Sequence, residues 1–188
     1  FMEPEEAASE VWIYQTQPNI SFAYKTPTTS STLGAKGSVN RYDSLAENNS
    51  EDVDLAWNHA YQGQRLGFGL DLGYSDAETR RNADEDSGDF SGNAQVEHYQ
   101  LTPSLAYQIS ERDTLSIDFS YSDRRYDSDR FADNITESVG LNWSRAVSQK
   151  MTTQMSVRSS EYEAENISLL VETLYNSVSV GIAYSYST

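Results

Sequence analysis

From residue 12 the even positions read Trp12, Tyr14, Thr16, Pro18, Ile20, Phe22 and Tyr24, with small or polar residues between most of them. A period of two puts every second side chain on one face, so the segment predicts a β-strand with one apolar face. The pattern returns in Val53, Leu55, Trp57, His59, Tyr61 and in Leu66, Phe68, Leu70, Leu72, Tyr74. It returns again in Tyr99, Leu101, Pro103, Leu105, Tyr107, Ile109; in Leu115, Ile117, Phe119, Tyr121; and in Val139, Leu141, Trp143. Met151, Met155, Val157 and then Val178, Val180, Ile182, Tyr184, Tyr186 close the series, and a weaker stretch at 33–42 brings the expectation to about nine strands.

The intervening positions decide what kind of β-protein this is. They carry Gly67, Gly69, Asp71, Gly73; Ser104, Ala106, Gln108; Thr114, Ser116, Asp118, Ser120; Gly140, Asn142, Ser144; and Thr152, Gln154, Ser156, Arg158. A soluble sandwich also alternates, but its wet face usually carries long charged side chains and its edges carry lysine. Here lysine occurs only as Lys25, Lys36 and Lys150. Small polar residues on one face, and an aliphatic band ending in aromatics on the other, predict an all-β, antiparallel up-and-down transmembrane β-barrel. Tyr74, Tyr99 and Tyr121 are expected at one membrane interface, and Tyr24, Tyr107 and Tyr184 at the other.

The connections alternate as barrel connections do. Short ones are expected at 26–31, 62–64, 110–112 and 148–150, and longer ones at 43–51, 75–95, 123–134 and 160–173. Short periplasmic turns and long extracellular loops assign sidedness. On that assignment the heptapeptides "LDLGYSD" (70–76) and "IDFSYSD" (117–123) are each the second strand of a hairpin, with Asp71 and Asp118 turned to the lumen. Pro18 and Pro103 lack a ladder donor and are expected near a strand end or bulge. The first and last strands both run inward, and about nine strands break the even-number rule. Residues 1–188 are therefore expected to form a single barrel domain within a larger barrel, lacking N- and C-terminal strands.

Composition narrows the chemistry. A net charge of −16 and a pI near 4.3, with no basic stripe, exclude attraction to a phosphate backbone, so no nucleic-acid partner is expected. No cysteine is present, which removes disulfides, zinc-thiolate sites and thiol nucleophiles. No stretch approaches the roughly 18 consecutive apolar residues of a transmembrane helix.

The segment "LTPSLAYQISERDTLSIDFSYSDRRYD" (101–127), followed by "ESVGLNWSRAVSQKMTTQMSVRSSEYEAEN" (137–166), resembles the repeated hairpins of Gram-negative outer-membrane β-barrel proteins associated with exopolysaccharide production and export loci. The motifs that carry the resemblance are the strand opening "TPSL", the turn "SERD" and the strand "SYSDRRYD". It implies a barrel fold, a place in the bacterial outer membrane and a possible role as an export channel. It supplies no site residues, because no catalytic motif is matched.

Loop carboxylates cluster in "NADEDSGDF", where Asp84, Asp86 and Asp89 are weak metal candidates beside Glu85, and in "DSDRFADN" with Asp127, Asp129 and Asp133. The ligand spacing of a calcium-binding EF-hand loop is absent, so solvated acidic loops are the simpler reading and no metal site is assigned. His59 and His98 lie on different strands without metal-ligand spacing. No serine sits in a nucleophile elbow and two histidines leave little for a triad, so no enzyme is expected, and no cofactor is assigned. The residues expected to line a pore are Lys36, Asn40, Asp54, Asn58, Asp71, Asp118, Asn142, Gln154 and Arg158. Two functions fit: a passive channel or export conduit, or a structural or adhesive barrel with acidic extracellular loops. Outer-membrane lipid and lipopolysaccharide are the expected surroundings, with polysaccharide or subunits of an export assembly as further partners.

Overall fold

The computed structural model describes residues 12–43, 49–78, 94–128, 130–166 and 169–185. Ten strands form one antiparallel sheet: β1 (Ile13–Thr16), β2 (Asn19–Lys25), β3 (Thr29–Tyr42), β4 (Ser50–Gln62), β5 (Leu66–Glu78), β6 (Gln95–Gln108), β7 (Asp113–Tyr126), β8 (Asp133–Ser148), β9 (Met151–Asn166) and β10 (Leu169–Tyr184). From β3 onward each strand pairs with its successor, while β1 and β2 both pair with β3. There is no helix among the described residues.

The sheet is a single layer, and this separates the two all-β readings. Leu33, Leu55, Leu105, Ile117, Leu141, Val178, Val180 and Ile182 are all exposed, with Val180 at 77%. In a sandwich these side chains would be covered by a second sheet; among the described residues none covers them. So much contiguous exposed apolar surface is incompatible with water on that face and fits hydrocarbon. Along β5 the band from Leu66 to Tyr74 is about 27 Å long at the usual strand rise. At a barrel tilt of about 40° that is roughly 20 Å of height, near the apolar belt of an outer-membrane barrel.

Ten strands replace the expected nine because the first one is broken at Gln17 and Pro18. Pro18 sits in this gap, and its carbonyl accepts a hydrogen bond from the Gly37 amide at 2.9 Å, keeping the two halves on β3. Pro103 departs from expectation: it lies inside β6, at neither an end nor a bulge. The ladder to β5 runs through Leu70↔Pro103, whereas the ladder to β7 has no pair at Thr102 and Pro103 and resumes at Ser104↔Asp118. The missing donor is absorbed as a local gap without a change of register. Among the described residues the irregular register, between Ala146 and Ser148, lies elsewhere.

The short connections are 26–28, 63–65, 109–112 and 149–150. In the "SERD" turn, Ser110 Oγ accepts from the amides of Arg112 (3.1 Å) and Asp113 (3.0 Å), closing the turn with a side chain. At the other end the expected asymmetry holds for 43–49, 79–94 and 127–132 but fails for 160–173. There β9 and β10 remain paired up to Asn166 and Leu169, in a hairpin of two 16-residue strands. Beyond the membrane both faces are wet, so the hydropathy alternation stops while backbone pairing continues. The sheet is open: among the described residues no ladder joins β10 to β1 or β2. The weak metal candidates Asp84, Asp86 and Asp89 lie outside the described residues.

Candidate functional site

Register sorts every side chain onto one of two faces. All nine expected lining residues fall on the polar face, but only some of them meet. Lys36 of β3 stands directly opposite Asp54 of β4. Asn58 and Asp71 are also opposite, and the Asn58 amide donates to Asp71 Oδ1 at 2.7 Å. Asn40 donates to Ser50 Oγ at 2.8 Å, near the long-connection end. Asn142 stands opposite Ser156, and Gln154 lies between Ser144 and Gly181 near the short-connection end. Among the described residues these two make no hydrogen bond to the charged members.

One charged contact on this face spans three strands. Asp118 of β7 is opposite Gly140 of β8, which is opposite Arg158 of β9. Arg158 reaches over the glycine to Asp118 Oδ2 at 2.6 Å and donates to Ser138 Oγ at 3.0 Å. The absence of a side chain on Gly140 makes this possible: a Cβ there would lie 2.6 and 2.8 Å from the two Asp118 oxygens and 3.0 Å from the Arg158 guanidinium. Gly140 and Ser138 were not among the expected site residues, and a side-chain pattern gives no signal for a residue that matters by having none.

Other polar-face charges lie beyond the strand ends that hydropathy alternation marks. Lys25 continues Asn19, Ser21 and Ala23; Asp52 precedes Asp54; Arg124 continues Asp118, Ser120 and Ser122. The same parity, carried to the true strand ends, finds all three. The polar-face charges in the described strands thus balance: Lys25, Lys36, Arg124 and Arg158 against Asp52, Asp54, Asp71 and Asp118. Small residues fill much of the remaining wall, as in the 410 Å³ hollow bounded by Lys25, Pro27, Ala60, Gly67, Gly69, Ser104, Ala106 and Ser116. The histidines separate: His98 bonds Ser122 Oγ at 2.9 Å on the polar face, whereas His59 packs between Trp57 and Phe68 on the apolar one.

The apolar face carries the acid excess. Past Tyr74 and Tyr99, whose rings lie 5.0 Å apart, come Glu51, Asp76, Glu78, Glu97, Asp123, Asp133, Glu137, Glu161, Glu163, Glu165 and Glu172, with Arg41 and Arg125 as the cations of this row. Arg41 pairs with Glu51. Arg125 pairs with Asp123 at 2.8 Å and lies 6.0 Å from the centre of the Tyr99 ring, and Asp123 is 4% exposed. Two loop carboxylates close backbone: Asp127 accepts from the Gln95 amide at 2.8 Å and Asp133 from the Tyr126 amide at 2.7 Å.

No protein-family model matches the chain, and no functionally curated protein matches it. Among solved structures it is similar to outer-membrane expressed OmpT of Vibrio cholerae, at 9% identity and a TM-score of 0.59 over 94% of this chain and 61% of that one. A loop L8 deletion mutant of the same protein gives 8% identity and a TM-score of 0.53, over 94% and 59%. The chain therefore spans about three fifths of the length of the structures it matches. At this identity the likeness establishes fold: an antiparallel outer-membrane β-barrel wall, in agreement with the expected place in the bacterial outer membrane. None of the neighbours points to exopolysaccharide loci.

Proposed function

We propose that these strands form part of the wall of a passive, non-catalytic outer-membrane conduit for hydrophilic solutes. The observation that carries this reading is width. β1 and β2 occupy one position beside β3, so the wall already has nine strand positions and is still open. A barrel of about eight strands is just filled by its own side chains, and wider ones leave a lumen. A barrel that contains this wall exceeds that limit, and the small residues on its polar face leave the interior unfilled. The sequence resemblance supports exported polysaccharide as cargo, and the tyrosine row bordering the exposed apolar band supports membrane lipid as neighbour. A structural or adhesive barrel is the second reading, favoured by the acid excess standing on the outward face.

Planar-bilayer recording on the full-length protein tests the conduit. Stable conductance is expected, with an ion preference that moves toward anions in Asp71→Asn plus Asp118→Asn, since these remove two of the lumen's acids. Silent but folded and inserted protein would favour the structural reading.

A further inference from the structure

Aromatic residues on the apolar face have a membrane to explain them, but the polar-face tyrosines of the described strands, Tyr42, Tyr126, Tyr162 and Tyr175, do not. In the β9–β10 ladder Tyr162 is opposite Thr173 and Ser160 is opposite Tyr175, so the two rings are diagonal neighbours on one face. Diagonal positions lie about 7–8 Å apart, within reach of a single ligand. Tyr175 is 63% exposed and Tyr162 39%. Neither makes a ring contact or a side-chain hydrogen bond among the described residues. Tyr126, on the same face, instead stacks on Phe131 with ring centres 5.2 Å apart.

The groups nearby on this face can form hydrogen bonds. Two and four residues below Tyr162 along β9 come Ser160 and Arg158, and Arg158 holds Asp118 at 2.6 Å and Ser138 at 3.0 Å. Open ring faces offer apolar contact to the C–H face of a sugar ring, while a carboxylate and a guanidinium bond its hydroxyls. Because the two charges cancel, the site favours a neutral polar ligand over an ion.

We propose that Tyr162 and Tyr175, with Arg158, Asp118, Ser138 and Ser160, form a binding site for a neutral oligosaccharide on the lumen wall, toward the long-connection mouth. The site rests on the reading of the polar face as a lumen wall. The full-length protein in detergent micelles, its folding checked by heat-modifiable gel mobility, is titrated calorimetrically with maltohexaose and cellohexaose. Binding of at least one sugar is expected. The Tyr162→Ala/Tyr175→Ala double variant should weaken it by about tenfold or more, and the corresponding phenylalanine pair should keep it, because ring faces and not hydroxyls make the contact. Failure of both sugars to bind folded wild type, or equal binding by the alanine pair, overturns the proposal. Binding without bilayer conductance keeps the site and rejects the open conduit; conductance without binding rejects the site and keeps the conduit.

Discussion

On the polar face Lys36 stands opposite Asp54 and Arg158 reaches Asp118, whereas on the apolar face, past the tyrosines, acid stands opposite acid. Asp76 faces Glu97, Glu137 faces Glu161, Asp133 faces Glu165 and Glu163 faces Glu172. Like charges directly across a ladder are destabilising, while opposite charges support it. The described charges of the lumen wall therefore cancel. Among the described strands the acid excess stands on the outward face above the membrane band.

The largest effect in either face is expected from Gly140→Ala. The new Cβ would sit 2.6 Å from an Asp118 oxygen and close to Arg158, two groups that hold each other in place. Overpacking of this kind costs about 1–3 kcal/mol. Gly69→Ala is the control: its Cβ would meet Ser104 Oγ at 2.5 Å, a hydroxyl that turns away, so a cost below about 1 kcal/mol is expected. Urea midpoints of the two variants test the difference; equal midpoints would show that the ion pair does not constrain the wall. Asp118→Asn should lose less than Gly140→Ala, because a partly exposed pair contributes only about 0–1 kcal/mol.

A smaller effect of opposite sign is expected on the outward face. Replacing Glu137 and Glu163 by glutamine relieves two like-charge pairs and should stabilise the protein by about 0.2–1 kcal/mol per pair at low ionic strength. The gain should shrink as salt rises, because these exposed charges are screened within about 8 Å at physiological ionic strength. Urea titrations at low and physiological salt read this directly, and a salt-independent gain would point to packing instead of repulsion. The smallest effect sharpens the comparison most: Asp71→Asn should move the reversal potential in a salt gradient toward anions, whereas Glu137→Gln should leave it unchanged. Equal shifts would mean that the two faces share one field.

The sequence by itself determined which face each side chain takes. Parity depends on the backbone alone, so Asp71 and Asp118 were assigned to the polar face, and Leu70, Ile117 and Leu141 to the membrane face, from spacing. It did not show where the strands end. At Glu161, Glu163 and Glu165 the apolar signal has already given way to acids, yet β9 continues, since backbone pairing outlasts the hydrocarbon. Only the tertiary structure decided which side chains meet. Asp118 finds Arg158 because the registers of β7, β8 and β9 place both on one row with a glycine between them, and register is a relation between strands that no single strand's pattern encodes. The same is true of the paired tyrosines on β9 and β10 and of the acid rows outside: each residue's face is written in its own strand, but its neighbour is set by the ladder beside it.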